Sequence, residues 1–358
     1  MAYKPRGALD GLEENIVTGV WDNSCKYHRL MANENPYGCS ALIKEALLKT
    51  MEDGPSNYPD GYTTALRMAV SKKYGIDKDE ILFGNGTDEI IYMLGKAFIE
   101  PGDEVVMPEI SFTSYISSCL SMGGKLVSVP MKDDLSVDLD AVLASVTDKT
   151  KYIVVVNPNN PTGTVFCEKE QYEFLKKVPK DVLVILDEAY AEFYMGESFP
   201  DSYSKLKEFK NLIILKTFSK IYGLASFRVG FMIANKEIIS LVSRVKNAFN
   251  VSTPAMAAAV AAINDSKFTE MVSENNSKCI KYLCKELDEM GYSYTPTHTS
   301  FILIDIKKDA APLVAALSKK AYLVRPGSDF GLKNYIRVSI GTMEQMEGFV
   351  KAFKECLE

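Results

Sequence analysis

Lys220 sits in LKTFSKIYGLASFR (residues 215–228), directly behind the apolar run LIIL at 212–215, where a purely solvated lysine has little to do. A lysine in a semi-buried turn, short of water and near other charges, is the residue type that proteins use for imine chemistry. The same segment carries the hydroxyls of Thr217 and Ser219 and the guanidinium fork of Arg228, groups that gather around a phosphate. A second phosphate signal lies in GNGTDEIIYMLGKAF (84–98), where a strand runs through a Gly-rich turn into a helix expected to start near Thr87. Free N–H groups and the positive dipole end favour an anion there. Thr87 and Asp88 would equally serve as ordinary helix caps.

Two further strand ends are unusually polar. VVVNPNNPTG (154–163) sets three asparagines and two X-Pro steps after an apolar strand. Asn160 could hydrogen-bond a ligand oxygen, whereas Asn157 and Asn159 suit Asx-turn chemistry better. DVLVILDEAYAEF (181–193) ends its strand at Asp187, a carboxylate that pays for desolvation unless a cation or a donor meets it. A protonated ring nitrogen would be such a partner, and Tyr190 could reach a neighbouring phenolic oxygen; a capping Asp is the plainer alternative. Phosphate, protonated pyridine, phenolic oxygen and imine are the four features of pyridoxal phosphate, and each of the four motifs offers a group for one of them.

The elements that must position these residues are legible in the hydropathy pattern. From about residue 80 to 235, the runs ILFG, EVVMP, KLVSVP, KYIVVV, DVLVILD, NLIILK and VGFMIA alternate with helical patterns. This is the signature of an α/β domain with a mixed, mostly parallel sheet covered on both faces. Ligands of such sheets bind at the carboxyl ends of the strands. Beyond about 237 come long helical patterns, the short strands SFILIDI and YIRVSI, and a final helix from Met343, a smaller α+β domain. The expected division is an N-terminal arm and helix over 1–50 that joins the small domain, a large domain over 51–236, and the small domain over 237–358.

Bulk properties narrow the function classes. The 358 residues carry 47% hydrophobic and 25% charged side chains and a net charge of −6, which argues against a surface built for nucleic acid or anionic lipid. Seven scattered cysteines without zinc-type spacing read as reduced thiols of a cytoplasmic protein, and two histidines leave few members for a metal site or a triad. No apolar signal core and no run of the ~20 residues needed for a membrane span is present. GNGTDE is not GxGxxG, and no acidic residue ends a second strand at the ribose spacing, so a dinucleotide dehydrogenase is set aside.

GNGTDE, NPNNPTG, DEAY, TFSK with GLASFRVG, and YIRVSIGT, in this order and at these separations, resemble the fold-type I pyridoxal-phosphate aminotransferases. ANENPYG and NYPDGY further resemble the histidinol-phosphate aminotransferase group. The resemblance implies the fold-type I transferase architecture and a transaminase that exchanges an amino group between a small-molecule donor and a 2-oxo acid. It implies that Lys220 binds the cofactor as a Schiff base and moves the proton at the substrate Cα, that Asp187 pairs with the pyridine nitrogen, and that Asn160 and Tyr190 bond the phenolic oxygen. Gly86, Thr87, Thr217, Ser219 and Arg228 would hold the phosphate, Asp88 would support that turn, and Phe112 would stack on the ring. Tyr58 would reach the phosphate of a neighbouring subunit, which implies a homodimer with shared active sites. Arg337, Arg325 and Asn35 would contact substrate.

One departure from the group stands out: in VRPGSDFGLKNYIRVSIGT, Asp329 adds a negative charge near Arg325, where an anionic substrate end would lie. An aromatic amino-acid donor, or another small amine, would tolerate that charge better than histidinol phosphate. The resemblance also extends to threonine-phosphate decarboxylase-like lyases, which differ in the bond held perpendicular to the ring. A non-catalytic binding or regulatory protein of the same fold would be expected to lack the lysine or to carry an added domain.

Overall fold

The computed structural model describes residues 6–9, 12 and 27–357; the rest of the expected N-terminal arm, up to residue 26, lies outside the described residues. A seven-stranded sheet forms the larger layer, in the order β2-β8-β7-β6-β5-β3-β4. Its strands are β2 (Ile81–Asn85), β3 (Glu104–Pro108), β4 (Lys125–Val129), β5 (Thr150–Val156), β6 (Leu183–Asp187), β7 (Leu212–Thr217) and β8 (Val229–Ala234). They match the seven apolar runs. All pairings among β3, β4, β5, β6 and β7 are parallel, and β8 runs antiparallel to both β7 and β2.

The central strands are buried on both faces because successive side chains point to opposite sides of the sheet. Ile153, Val155, Val184, Leu186 and Ile214 enter one core, and Tyr152, Val154, Val156, Ile185 and Ile213 enter the other. The second core is closed by α3 (Gly86–Phe98), α4 (Ser114–Ser121) and α8 (Lys236–Ser243), through residues such as Ile90, Tyr115 and Ile239. The first is closed by α2 (Thr64–Tyr74), α6 (Glu168–Lys177) and α9 (Thr253–Ile263). In α9 the small side chains of Ala255, Ala258, Ala259 and Ala262 face inward, and α1 (Leu42–Glu52), with Ile43 in the same core, packs against it.

The packing therefore does not follow the expected cuts: α8 and α9, which lie beyond 236 but for Lys236, and α1, which straddles 50/51, bury their apolar faces with the large sheet. The reason is that apolar periodicity marks which face of a helix is buried but not which sheet covers it. The smaller sheet is ordered β1-β11-β12-β10-β9, with β1 (His28–Leu30) parallel to β11 (Tyr322–Pro326). β9 (Ser293–Tyr294), β10 (Phe301–Asp305) and β12 (Tyr335–Ser339) complete it, with a core shared by α11 (Ala311–Lys319) and α12 (Met343–Leu357). The 24-residue α10 (Ser266–Glu289) joins both bodies, with Val272 in the large core and Cys279, Leu283 and Leu287 in the small one.

Because β7 and β8 are antiparallel neighbours, no crossover helix separates them, and residues 218–228 form a loop held at the sheet edge where β6 and β7 end. Gly223 adopts φ +69°, and a Cβ there would lie 1.8 Å from the carbonyl oxygen of Gly38, so the N-terminal segment can press on this loop only because position 223 is glycine.

Beneath the loop, Lys216 is 3% exposed and its ammonium lies 2.6 Å from Glu192. The carboxyl of Glu188 is pushed up to about 7 by burial, and the Lys216 charge is the leading opposing influence. Removing one member of a buried pair leaves the other uncompensated. Lys216→Met is accordingly expected to cost about 3 kcal/mol, the lower end for such a pair because Glu192 keeps some contact with water. The shift in urea midpoint measures it, and an unchanged midpoint would show that this ammonium does not compensate the two carboxylates.

Candidate active site

The four strand-end motifs converge. Lys220 is half-buried, and its Nζ lies 5.7 Å from the centroid of the Tyr190 ring and donates to the Ala32 carbonyl at 3.2 Å. Of the two lysines in LKTFSK, then, Lys216 is committed to an ion pair within the core and Lys220 reaches Tyr190 and the Ala32 carbonyl.

Asp187 ends β6 at 3% exposure. Its Oδ2 accepts from the Tyr115 hydroxyl at 2.9 Å and its Oδ1 from the Ala189 N–H at 3.1 Å. Burial pushes its carboxyl up to about 6, while those two hydrogen bonds pull the other way. A carboxylate has about four acceptor positions, so two donors leave it able to accept from a cation.

The phosphate-type residues also assemble. α3 begins at Gly86, one residue before the expected start, and Asn85 at its N-cap makes no side-chain cap, so the first N–H groups are not claimed by it. Gly86 has φ +76°, and a Cβ would sit 2.5 Å from the Arg228 guanidinium, so only glycine leaves Arg228 its place above the helix start. Arg228 donates to Asp88 Oδ2 at 2.9 Å and Ser114 to Asp88 Oδ1 at 3.0 Å, which fixes the guanidinium. Thr217 and Ser219 are buried at the end of β7, where Thr217 Oγ1 accepts from the Ser219 N–H at 3.1 Å. Phe112 is half-buried and edge-on to Tyr115, with centroids 6.3 Å apart.

Asn160 and Arg337 meet across the two bodies. Arg337 lies opposite Leu303 of β10 and donates to Asn160 Oδ1 at 2.6 Å and to the Met31 carbonyl at 2.7 Å. It has no carboxylate partner among the described residues, contrary to a structural salt bridge. Burial lowers its guanidinium to about 10, so it stays charged at neutral pH. Arg325 is its direct cross-strand partner and lies 2.5 Å from Asp329.

Asn35, expected to contact substrate, donates its amide to the carbonyl of Ile221 at 2.9 Å and of Lys220 at 3.4 Å, which clamps the lysine loop. Tyr58 stands apart from the other residues, 82% exposed and stacked on Phe249 at 4.7 Å.

Sequence reasoning missed three residues. Asn33, buried at 2% with φ +55°, donates to the Tyr190 hydroxyl at 2.8 Å and accepts from Ser339 at 2.8 Å. With Tyr115 on Asp187, these contacts hold the phenol and the carboxylate in place. The motif ANENPYG contained Asn33, but nothing local separates its role from that of Asn35. The two histidines are packing residues, His28 stacked on Tyr322 and His298 on Tyr194.

From residue 26 to 353 the chain matches the model of the family described as aminotransferase class I and II. It belongs to that family. Histidinol-phosphate aminotransferases of Caldicellulosiruptor saccharolyticus and Moorella thermoacetica are similar at 40% identity over 332 residues and 41% over 330. The matches cover 93% of this chain and 92% of the first relative, and 92% and 85% for the second. The structure of histidinol-phosphate aminotransferase from Sinorhizobium meliloti in complex with pyridoxal-5'-phosphate superimposes with a TM-score of 0.85 at 26% identity, covering 92% of this chain and 90% of that one. This chain is therefore a transaminase of fold type I. The site fits the cofactor of that relative on three observations: the unclaimed helix start under Arg228, the spare acceptor capacity of buried Asp187, and an amine beside Tyr190.

The raised carboxyl of Asp187 gives a signed expectation for the cofactor-free protein. Its folded value near 6 exceeds the ordinary value of 3.8, so the folded state gains protons and its stability falls as pH rises between those values. Asp187→Asn removes this loss, so the variant should gain melting temperature over the wild type from about pH 4 to 6 and then level off. A difference independent of pH would show that Asp187 is not held in its protonated form by burial.

Proposed function

We propose that this transaminase binds pyridoxal phosphate and transfers the amino group of histidinol phosphate to 2-oxoglutarate. The reading is supported by a set of contacts at neighbouring strand ends: Lys220 beside Tyr190, Arg337 on Asn160, buried Asp187 at the end of β6, and Arg228 fixed by Asp88 at an anion-ready helix start. The relatives at 40–41% identity bear the name of that reaction and are matched over most of their length.

When bound, the cofactor supplies an electron sink for the pair of electrons left at the donor Cα once its proton is removed. Lys220, beside Tyr190, would take that proton from the donor Cα and deliver it to the cofactor carbon to which the amino nitrogen is joined. Asp187, ionised, holds the proton on the ring nitrogen, with Tyr115 and the Ala189 N–H fixing its two oxygens. Tyr190, held by Asn33, and Asn160, held by Arg337, address the phenolic oxygen. Gly86, Thr87, Thr217, Ser219 and Arg228 hold the phosphate, and Phe112 covers one ring face by area. Arg337 presents its guanidinium to the anionic end of each substrate.

The reading includes a homodimer. Tyr58 is 82% exposed, and the apolar groove formed by Ile43, Leu47, Leu48, Met51 and Phe227 is open among the described residues. A second copy that covers the groove would also bring Tyr58 to the neighbouring phosphate site.

Two outcomes are expected. In a panel of histidinol phosphate, phenylalanine, tyrosine and leucine with 2-oxoglutarate, histidinol phosphate should give the dominant kcat/KM; a dominant aromatic donor would replace this substrate assignment. Lys220→Ala and Tyr58→Ala proteins, each impaired alone, should regain activity when mixed and reassembled, because some mixed dimers carry one intact site. No recovery in dimers shown to have exchanged subunits would contradict shared sites.

A further inference from the structure

Arg325 and Arg337 are direct cross-strand partners of antiparallel β11 and β12, so their side chains leave the sheet on one face. Like charges directly opposite each other destabilise a sheet, and a fold that keeps them needs a compensating anion. Part of that compensation is internal. The turn between the strands brings Asp329 Oδ2 to 2.5 Å from Arg325 Nε, and the Phe330 ring lies 5.8 Å from one guanidinium and 5.3 Å from the other. The contact with Asp329 is an ion pair by proximity and not an aligned hydrogen bond: Nε of Arg325 and Nε of Arg337 are both buried without a hydrogen-bonded acceptor among the described residues. Two adjacent guanidinium charges against one fixed carboxylate leave this face with a net positive charge that a ligand anion can meet.

We propose that Asp329 determines specificity by holding the Arg325–Arg337 anion site at a single net positive charge, so that the site takes a phosphate and a carboxylate in turn without retaining the phosphate. This rests on the reading that Arg337 meets the anionic end of both substrates. In that reaction the same site must release a doubly charged phosphate ester before it accepts a singly charged α-carboxylate. Coulomb energy is linear in ligand charge, so the repulsion from Asp329 is twice as large for the dianion as for the monoanion. It therefore levels two affinities that the bare arginine pair would drive apart. Arg325 stays within reach of the ligand because its link to Asp329 leaves the remaining guanidinium donors free for an aligned bond.

The test uses the cofactor-loaded enzyme at pH 8, where phosphate is doubly charged, and titrates inorganic phosphate and acetate calorimetrically against wild type, Asp329→Asn, Asp329→Asn/Arg325→Gln and Arg337→Gln. Working with the loaded enzyme keeps the cofactor's own phosphate site occupied. If Asp329→Asn tightens acetate about 3-fold, it should tighten phosphate about 10-fold, the square of the first factor expected from the doubled charge. The added Arg325→Gln change should cancel most of the gain. In turnover, Asp329→Asn should lower KM for the phosphate-bearing donor more than for 2-oxoglutarate. Equal or weaker phosphate binding in a folded Asp329→Asn protein overturns the proposal. The underlying reading fails separately, if Arg337→Gln leaves wild-type phosphate binding unchanged.

Discussion

The arrangement depends on one constraint: a carboxylate has been buried at the carboxyl end of a central parallel strand. Asp187 cannot be solvated there, and among the described residues it is met by two donors, Tyr115 and the Ala189 N–H. A fold optimised for stability alone would place an apolar residue or a matched cation at this position. Leaving the acid under-satisfied holds a place for a cationic ligand atom, and the neighbouring strand ends are arranged around that place. β5 contributes Asn160, β7 contributes Thr217 and the loop with Lys220, and the helix after β2 contributes the open N–H groups.

The second organising feature is the strap formed by residues 32–38. Asn33 links Tyr190 to Ser339 of the small sheet, Asn35 grips the carbonyls of Ile221 and Lys220, and the Gly38 carbonyl rests against Gly223. Together with the Arg337–Asn160 bond, the strap ties the small body to the lysine loop. The position of Lys220 is thus set jointly by both bodies and not by its own sheet alone. α10, with one end in each core, is the element through which any relative movement of the two would pass.

Much of this was readable in the sequence. The seven apolar runs of the large sheet, the Asp187, Lys220 and Arg228 positions and the helix from Met343 follow from hydropathy, turn residues and the cost of burying charge, all of which act locally. The antiparallel sense of β8 was not readable, because VGFMIA has the same apolar texture as its parallel neighbours. The allegiance of α8 and α9 to the large sheet was hidden for the same reason. Asn33, Tyr115 and Ser339 act through contacts spanning 72 to 306 residues, and no local spacing encodes these. The motif around Asn35 is legible in the sequence, but the bond of its amide to the Ile221 and Lys220 carbonyls, some 185 residues away, is not.

The central claim is that Lys220, and not the more deeply buried Lys216 four residues before it, is the amine that carries the cofactor. Borohydride reduction of the cofactor-loaded enzyme, followed by proteolysis and mass mapping, tests this most directly. The account predicts a single phosphopyridoxyl label on Lys220 in the peptide spanning TFSKIYGLASFR. A label on Lys216 or on another lysine, or stable reduction of bound cofactor without any lysine adduct, would contradict it.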